Sequence, residues 1–192
     1  MKILHTIFLA QLTACSPILD SSDSASIEDL VYEPGFIETE DCGFADGEKA
    51  CDFILLDSED EMWRLSDYKG EVLLLDLSAM WCGPCQAAGQ TTQETQDHYQ
   101  GSGFQYVTLL IADLANDSVE AEDLKVWTES FGITSAPVLA GDRSLLVSGG
   151  SLNGFPVESW PTFILVDREG KVLTTLRGFN EAMIRQAIEQ AI

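Results

Sequence analysis

Basic residues are scarce in this 192-residue chain: 10 Lys+Arg stand against 32 Asp+Glu, for a formal net charge of -22. A phosphate-binding face needs clustered cations, so the shortage excludes nucleic acid as a partner. Such an excess of one sign reads as a solvated surface. Fifteen of the acids fall between Asp20 and Glu61, where only Lys49 opposes them. Histidine is nearly missing, at 2 residues. A zinc knuckle would need two further ligands of matching spacing beside any Cys-x-x-Cys, and Cys42 and Cys51 do not supply them. No apolar run is long enough for a permanent bilayer-spanning helix, since the stretch from Ile3 to Leu12 is short and broken by His5, Thr6 and Gln11. Internal repeats are absent. The acidic run Asp57-Ser58-Glu59-Asp60-Glu61 lacks the spacing and glycine of an EF-hand loop, and reads as a turn between strands.

What the chain does have is a cysteine pair in a telling place. Trp81-Cys82-Gly83-Pro84-Cys85 follows directly on the apolar stretch Val72 to Leu77, so two thiols stand where a buried strand turns into a helix. The first turn of a helix offers unpaired amide N–H groups and a partial positive charge, both of which favour a thiolate. Cys82, the outer residue, is therefore the candidate nucleophile, and Cys82-Cys85 the candidate redox disulfide. Pro84 has no N–H to lose and suits the first helical turn. With Cys15 set aside, the five cysteines leave Cys42 and Cys51 as a second pair, and paired cysteines fit an oxidising compartment. Asp46-Gly47 between them is a turn signal that predicts a hairpin stapled by a structural disulfide. Closing a loop of about ten residues contributes roughly 2.7 kcal/mol in the chain-entropy model. As a second redox pair these cysteines would lack a helix start beside them.

Hydrophobic periodicity divides the chain. The stretch 16–41 is rich in serine and acid and reads as a flexible tether, on the order of 28 Å in reach. Residues 42–192 have the size of one domain. Within them, strands are expected at Phe53 to Leu56, around Trp63 to Leu65, at Glu71 to Ser78, Phe104 to Ala112, Pro137 to Ala140, Thr162 to Val166 and Lys171 to Leu176. Helices are expected from Gly83 to about Tyr99, Val119 to Phe131 and Asn180 to Ile192. The stretch before Ser159 is irregular and rich in Gly and Ser. Alternating strands and helices followed by a hairpin and a helix describe an α/β sandwich around a central mixed β-sheet. Trp63 and Trp127 read as core, and His98 as a surface residue late in its helix. Asp76 falls in the middle of Leu73-Leu74-Leu75-Asp76-Leu77, where a charge costs several kcal/mol unless it is partnered or protonated. The alternative is that strand alternation turns it to solvent.

Leu12-Thr13-Ala14-Cys15 resembles the lipobox of bacterial lipoprotein signal peptides. The resemblance implies a signal peptide over 1–14, lipidation of Cys15, a bilayer anchor, and an acidic tether over 15–41. Ser16 after the cysteine points to the outer membrane of a diderm. The expected location is extracytoplasmic, in the bacterial periplasm.

Residues 50–192 resemble the thioredoxin superfamily, in particular its membrane-tethered TlpA/ResA-like thiol-disulfide oxidoreductases. The features that carry this are Leu65-Ser66-Asp67-Tyr68-Lys69-Gly70 leading into Val72-Leu73-Leu74-Leu75, Trp81-Cys82-Gly83-Pro84-Cys85, Trp160-Pro161-Thr162, and Gly170-Lys171-Val172. The resemblance implies a thioredoxin-like sandwich with an N-terminal hairpin and a βα insertion over Val119 to Ser159. It also implies a cis-proline at Pro161, in preference to Pro137, lying against the disulfide, with Trp160 and Thr162 beside a substrate-docking backbone. Asp76 would then pass the proton of the inner thiol, Cys85. The implied partners are a disulfide-bearing protein and an upstream membrane electron donor; the enzyme is expected to act as a monomer, without cofactor or resident metal. Two departures from the family stand out. Ser78 replaces an aromatic residue four before Cys82, and Gln86-Ala87-Ala88-Gly89-Gln90 lacks the basic residue or kinking proline common in relatives. A different reading of the same pair is a copper-binding or metallochaperone module with Met80 adjoining as a soft ligand. Peroxide reduction has less support, because the Thr-x-x-Cys context of a peroxidatic cysteine is not present.

Overall fold

The computed structural model describes residues 34–37 and 40–192, so the expected signal segment, Cys15 and most of the tether lie outside the described residues. The chain runs β1 (Gly35–Phe36), β2 (Phe53–Leu56), β3 (Met62–Arg64), β4 (Val72–Ser78), α1 (Gly83–Tyr99), β5 (Phe104–Leu110), α2 (Ala121–Phe131), β6 (Val138–Ala140), β7 (Thr162–Val166), β8 (Val172–Arg177) and α3 (Glu181–Ala191). The strands form one sheet in the order β1-β2-β6-β5-β4-β7-β8, with β3 paired to β2 alone. β4, β5 and β6 are parallel, while β2 and β7 join them antiparallel. This is the expected α/β sandwich with a mixed sheet.

β4 is central and buried along its whole length, as a near-continuous apolar strand covered on both faces should be. Its alternation sorts the core into two layers. Val72 and Leu74 pack with Cys82, Cys85, Ala88, Tyr106, Phe163, Ile184 and Ile188. Leu73, Leu75 and Leu77 pack on the opposite face with Phe44, Phe53, Leu109, Phe155 and Ile164. Asp76 has the same parity as Leu74 and so belongs to the face that carries the cysteine pair.

α1 buries Cys85, Ala88, Gly89, Thr92, Thr95, Gln96 and Tyr99, a helical stripe of mostly small or polar residues. Two of its buried residues have a visible reason to be there. Gln96 Oε1 accepts from the buried Tyr106 N–H at 2.7 Å, and Gly89 lets α2 close in, since a Cβ there would stand 2.8 Å from the Phe131 ring.

The expected hairpin between Cys42 and Cys51 does not form as a two-strand ladder. The segment folds back through a turn closed by Glu48 N donating to Ala45 O at 3.0 Å, with Gly43 N donating to Lys49 O at 2.8 Å. Lys49 then bridges to Lys171 at the far edge of the sheet, so the backbone groups that a hairpin would pair find partners elsewhere. Cys42 and Cys51 are bonded to one another. The loop they close carries Phe44, which packs 4.3 Å from Phe155 in a cluster with Phe36 and Phe53. Phe155 comes from the stretch that the sequence marks as irregular, and it is fully buried.

Two boundaries also move. α2 starts at Ala121, because Glu120 and Asp123 form a reciprocal capping box. β5 stops at Leu110; beyond it Ile111 N donates to Ser78 O at the end of β4, and Ala112 O accepts from Met80 N in the loop that follows. No helix among the described residues is long and apolar enough to cross a membrane.

Candidate active site

The loop between β4 and α1 is tied down at each step. Ile111 N donates to Ser78 O at 2.8 Å, Met80 N to Ala112 O at 2.9 Å, and Cys82 N to Ala79 O at 3.1 Å. The Gln86 side chain reaches back to Met80 O at 2.7 Å. Cys82 is the N-cap of α1, with Pro84 in the first turn. Its Sγ accepts from Cys85 N at 3.2 Å, so the sulfur occupies the place where a helix start would hold an anion.

Cys82 and Cys85 are joined as a disulfide with Cα atoms 5.2 Å apart. Cys82 is 4% exposed, Cys85 is sealed, and Trp81 beside them is 41% exposed. Gly83 and Pro84 are exposed as well, and a Cβ on Gly83 would meet nothing within 4 Å. Cys82 therefore sits just under a rim of exposed residues, while Cys85 has no exposed surface.

The strand entry before β7 closes the other side. Trp160–Pro161 is a cis peptide, whereas Ala136–Pro137 is not among the cis bonds of the described residues. Pro161 stands one step beyond the last β4–β7 pair, Leu77 with Thr162. Gly178 N donates to Pro161 O at 2.8 Å, and Thr162 Oγ1 to Ser159 O at 2.7 Å. Trp160 packs edge-on to Trp81 with ring centroids 6.1 Å apart. It also touches both core layers, so it is at once a rim residue and part of the core.

Asp76 is wholly buried, which removes the reading that turns it to solvent. Ser78 Oγ donates to Oδ1 at 2.7 Å and Tyr106 Oη to Oδ2 at 2.8 Å. Burial pushes its pKa up from 3.8 to about 7, against the opposing pull of the two hydroxyl donors. Burial, then the Asp76 charge, drives the Tyr106 phenol well above its ordinary value. Asp76 thus lies in the second half of β4, Trp81 to Cys85 in the loop and helix start that follow it, and Trp160, Pro161 and Thr162 at the entry of its neighbour β7, with Trp81 against Trp160. Cys42 and Cys51 belong to the aromatic cluster on the opposite layer.

Sequence reasoning missed Ser78 and Tyr106 as partners of Asp76. The first was within reach, because residues two apart on a strand share a face. Tyr106 needed the β4–β5 register, in which Asp76 pairs with Thr108. His98 is exposed, as the sequence suggested, and Trp63 and Trp127 are buried.

A mixed sheet with this strand order, a cysteine pair capping the helix after the central strand, and a cis-proline at a neighbouring strand entry define a thioredoxin-like thiol-disulfide oxidoreductase. Residues 47–175 match the AhpC/TSA family, and the chain belongs to that family. It is 32% identical over 152 residues to the thiol-disulfide oxidoreductase ResA of Geobacillus thermodenitrificans, covering 79% of each chain. A Chlorobium tepidum structure assigned as thiol:disulfide interchange protein DsbE is 32% identical with a TM-score of 0.61, over 78% of this chain and 96% of that one. The exposed lipoprotein thioredoxin Etrx1 of Streptococcus pneumoniae is 31% identical with a TM-score of 0.58, over 72% and 98%. The chain is accordingly a protein-disulfide oxidoreductase.

Proposed function

We propose that the enzyme exchanges dithiol for disulfide with partner proteins through Cys82 and Cys85, as a reductant or isomerase held outside the cytosol. The observation that carries the reading is the asymmetry of the pair. Cys82 lies at the helix start with its sulfur accepting an N–H, and Cys85 is sealed in the layer that also holds a buried acid. In the reductive direction the Cys82 thiolate attacks one sulfur of a partner disulfide. A bond from Cys82 to the partner forms, the partner's own S–S bond breaks, and its other sulfur leaves as a thiolate that takes a proton from water. The Cys85 thiol then gives its proton to ionised Asp76, and the resulting thiolate attacks Cys82 Sγ. The Cys82–Cys85 bond forms and the partner leaves with both sulfurs reduced. Two electrons have passed to the partner, and an upstream membrane thiol donor restores them to the pair.

Pro161, Trp160 and Thr162 supply the docking backbone for an extended segment of the partner, and the bare Cα of Gly83 leaves the approach to Cys82 open. The protein works as a monomer, tethered through a lipidated Cys15 and the acidic segment to the periplasmic face of a membrane, with the outer membrane of a diderm as its place. The lipobox-like sequence supports the lipid anchor, as does the likeness to an exposed lipoprotein thioredoxin, and Ser16 after the cysteine is what favours the outer membrane. Catalytic reduction of a reporter protein disulfide by a dithiol tests the function. The expected result is multiple turnovers by the purified protein without bound metal. Stoichiometric copper and no turnover would favour a metal-carrying role for the same pair.

Cys42–Cys51 is a structural staple in this account. Replacing both by serine should lower unfolding stability in urea by about 2–3 kcal/mol, from the loss of loop closure, with the exchange rate unchanged. A lost exchange rate in a folded double variant would instead make the second pair part of the electron path.

A further inference from the structure

Resting on the reading of Asp76 as the proton acceptor for Cys85, we infer that Ser78 and Tyr106 are positioning residues for that acceptor. Their hydroxyls grip the two carboxylate oxygens from two strands and favour the charged form that can take a proton. An ionised carboxylate only accepts hydrogen bonds, and here each oxygen receives one, at 2.7 Å from Ser78 and 2.8 Å from Tyr106. Protonated Asp76 would have to give one of these up or turn a hydroxyl around. The arrangement therefore works against burial, which favours the neutral acid.

Ser78 is also one of the two places where the chain departs from the family it resembles. In this chain the position supplies Oδ1 with a short hydroxyl donor. Tyr106 completes the pair of donors from β5, with Thr92 of α1 within hydrogen-bonding reach of the phenol. The other groups packed near Asp76 are its register partners Thr108 on β5 and Phe163 on β7. Thr108 Oγ1 is buried without a hydrogen-bond partner among the described residues. Among the described residues of this layer the titratable groups are Tyr99 and Tyr106, joined by the cysteine pair only once it is reduced. No lysine, arginine or histidine among the described residues bonds to Asp76 or shifts it.

The test follows the carboxyl itself, in the oxidised full-length protein labelled with carboxyl-13C aspartate, so that no turnover is needed. Ser78→Ala and Tyr106→Phe, each checked for native circular dichroism, should raise the midpoint of Asp76 by about one to two pH units. That is the worth of one hydrogen bond to a charged group. Ser78→Thr should restore the wild-type midpoint, and Thr108→Val, which removes a hydroxyl with no hydrogen-bond partner among the described residues, should leave it in place. The pH profile of disulfide exchange should move with the midpoint in both variants. Unmoved midpoints in Ser78→Ala and Tyr106→Phe would overturn the inference whatever the activity. Midpoints that move while the exchange profile does not would support the grip on the carboxyl and overturn Asp76's part in the exchange.

Discussion

Cys82→Ser should lose disulfide exchange altogether, whereas Cys85→Ser should retain the first half of the reaction and stall as a mixed disulfide. The difference follows from where each sulfur sits. Cys82 caps α1 under an exposed rim, so a visiting disulfide meets this sulfur first and its thiolate is stabilised by the helix start. A serine hydroxyl there stays protonated in the neutral range and is a far weaker nucleophile, so the rate with a reporter disulfide should fall by about 1,000-fold or more, to the uncatalysed background. Cys85 is sealed and meets no partner directly. Its loss should leave the attack by Cys82 intact and remove only the resolving step. Rapid-quench alkylation separates the two outcomes. A Cys82→Ser protein that still exchanged at wild-type rate would place the chemistry elsewhere in the chain.

The second large effect belongs to Asp76. Its pKa is pushed up to about 7 in the folded protein from 3.8. Below about pH 4 the carboxyl is protonated in folded and unfolded chains alike, so it imposes no cost. Between about pH 4 and 7 the unfolded chain releases the proton while the folded one holds it, so stability falls as pH rises, by about 4 kcal/mol in all. Asp76→Asn carries no such charge. It should therefore be more stable than wild type at pH 8, by about 2–4 kcal/mol, and lose the advantage near pH 4. The same variant should resolve mixed disulfides about 100-fold more slowly, without the rise through pH 7 that ionisation of the acceptor gives the wild type. Denaturant titrations at pH 4 and 8, paired with single-turnover rates, check both. A variant equally stable at the two pH values relative to wild type would show that Asp76 is charged at little cost in the native state.

Much of this site can be read from the residues alone. The unbroken apolar run before Cys82 marks β4 as a strand hidden on both faces, and the position of the pair after it gives the strand-to-helix junction. Asp76 draws attention because a carboxyl in such a run needs an explanation, and the strand period puts it on the side of Leu74. Other features are not local. Phe155 lies in a stretch rich in Gly and Ser, and its place in the core depends on Phe36, Phe44 and Phe53 arriving from distant parts of the chain. The polar stripe of α1 looks exposed in sequence because its buried amide and hydroxyls have partners on β5 and within the helix. The segment between the other two cysteines carries a sound turn signal, yet no ladder forms, since Lys49 is drawn to Lys171. Tyr106 comes within reach of Asp76 only through the sheet register. Periodicity reveals which face a residue takes, while the identity of its neighbour across strands is a property of the assembled sheet.

The central claim is that electrons pass between this protein and others through the sulfur of Cys82. Peptide mass mapping of Cys85→Ser protein recovered from cells under acid quench tests it most directly. The account predicts captured polypeptides linked by a reducible bond to the peptide bearing Cys82, with Cys42 and Cys51 still joined to each other. Captured protein linked through Cys42 or Cys51, or none at all from a folded variant, would contradict it.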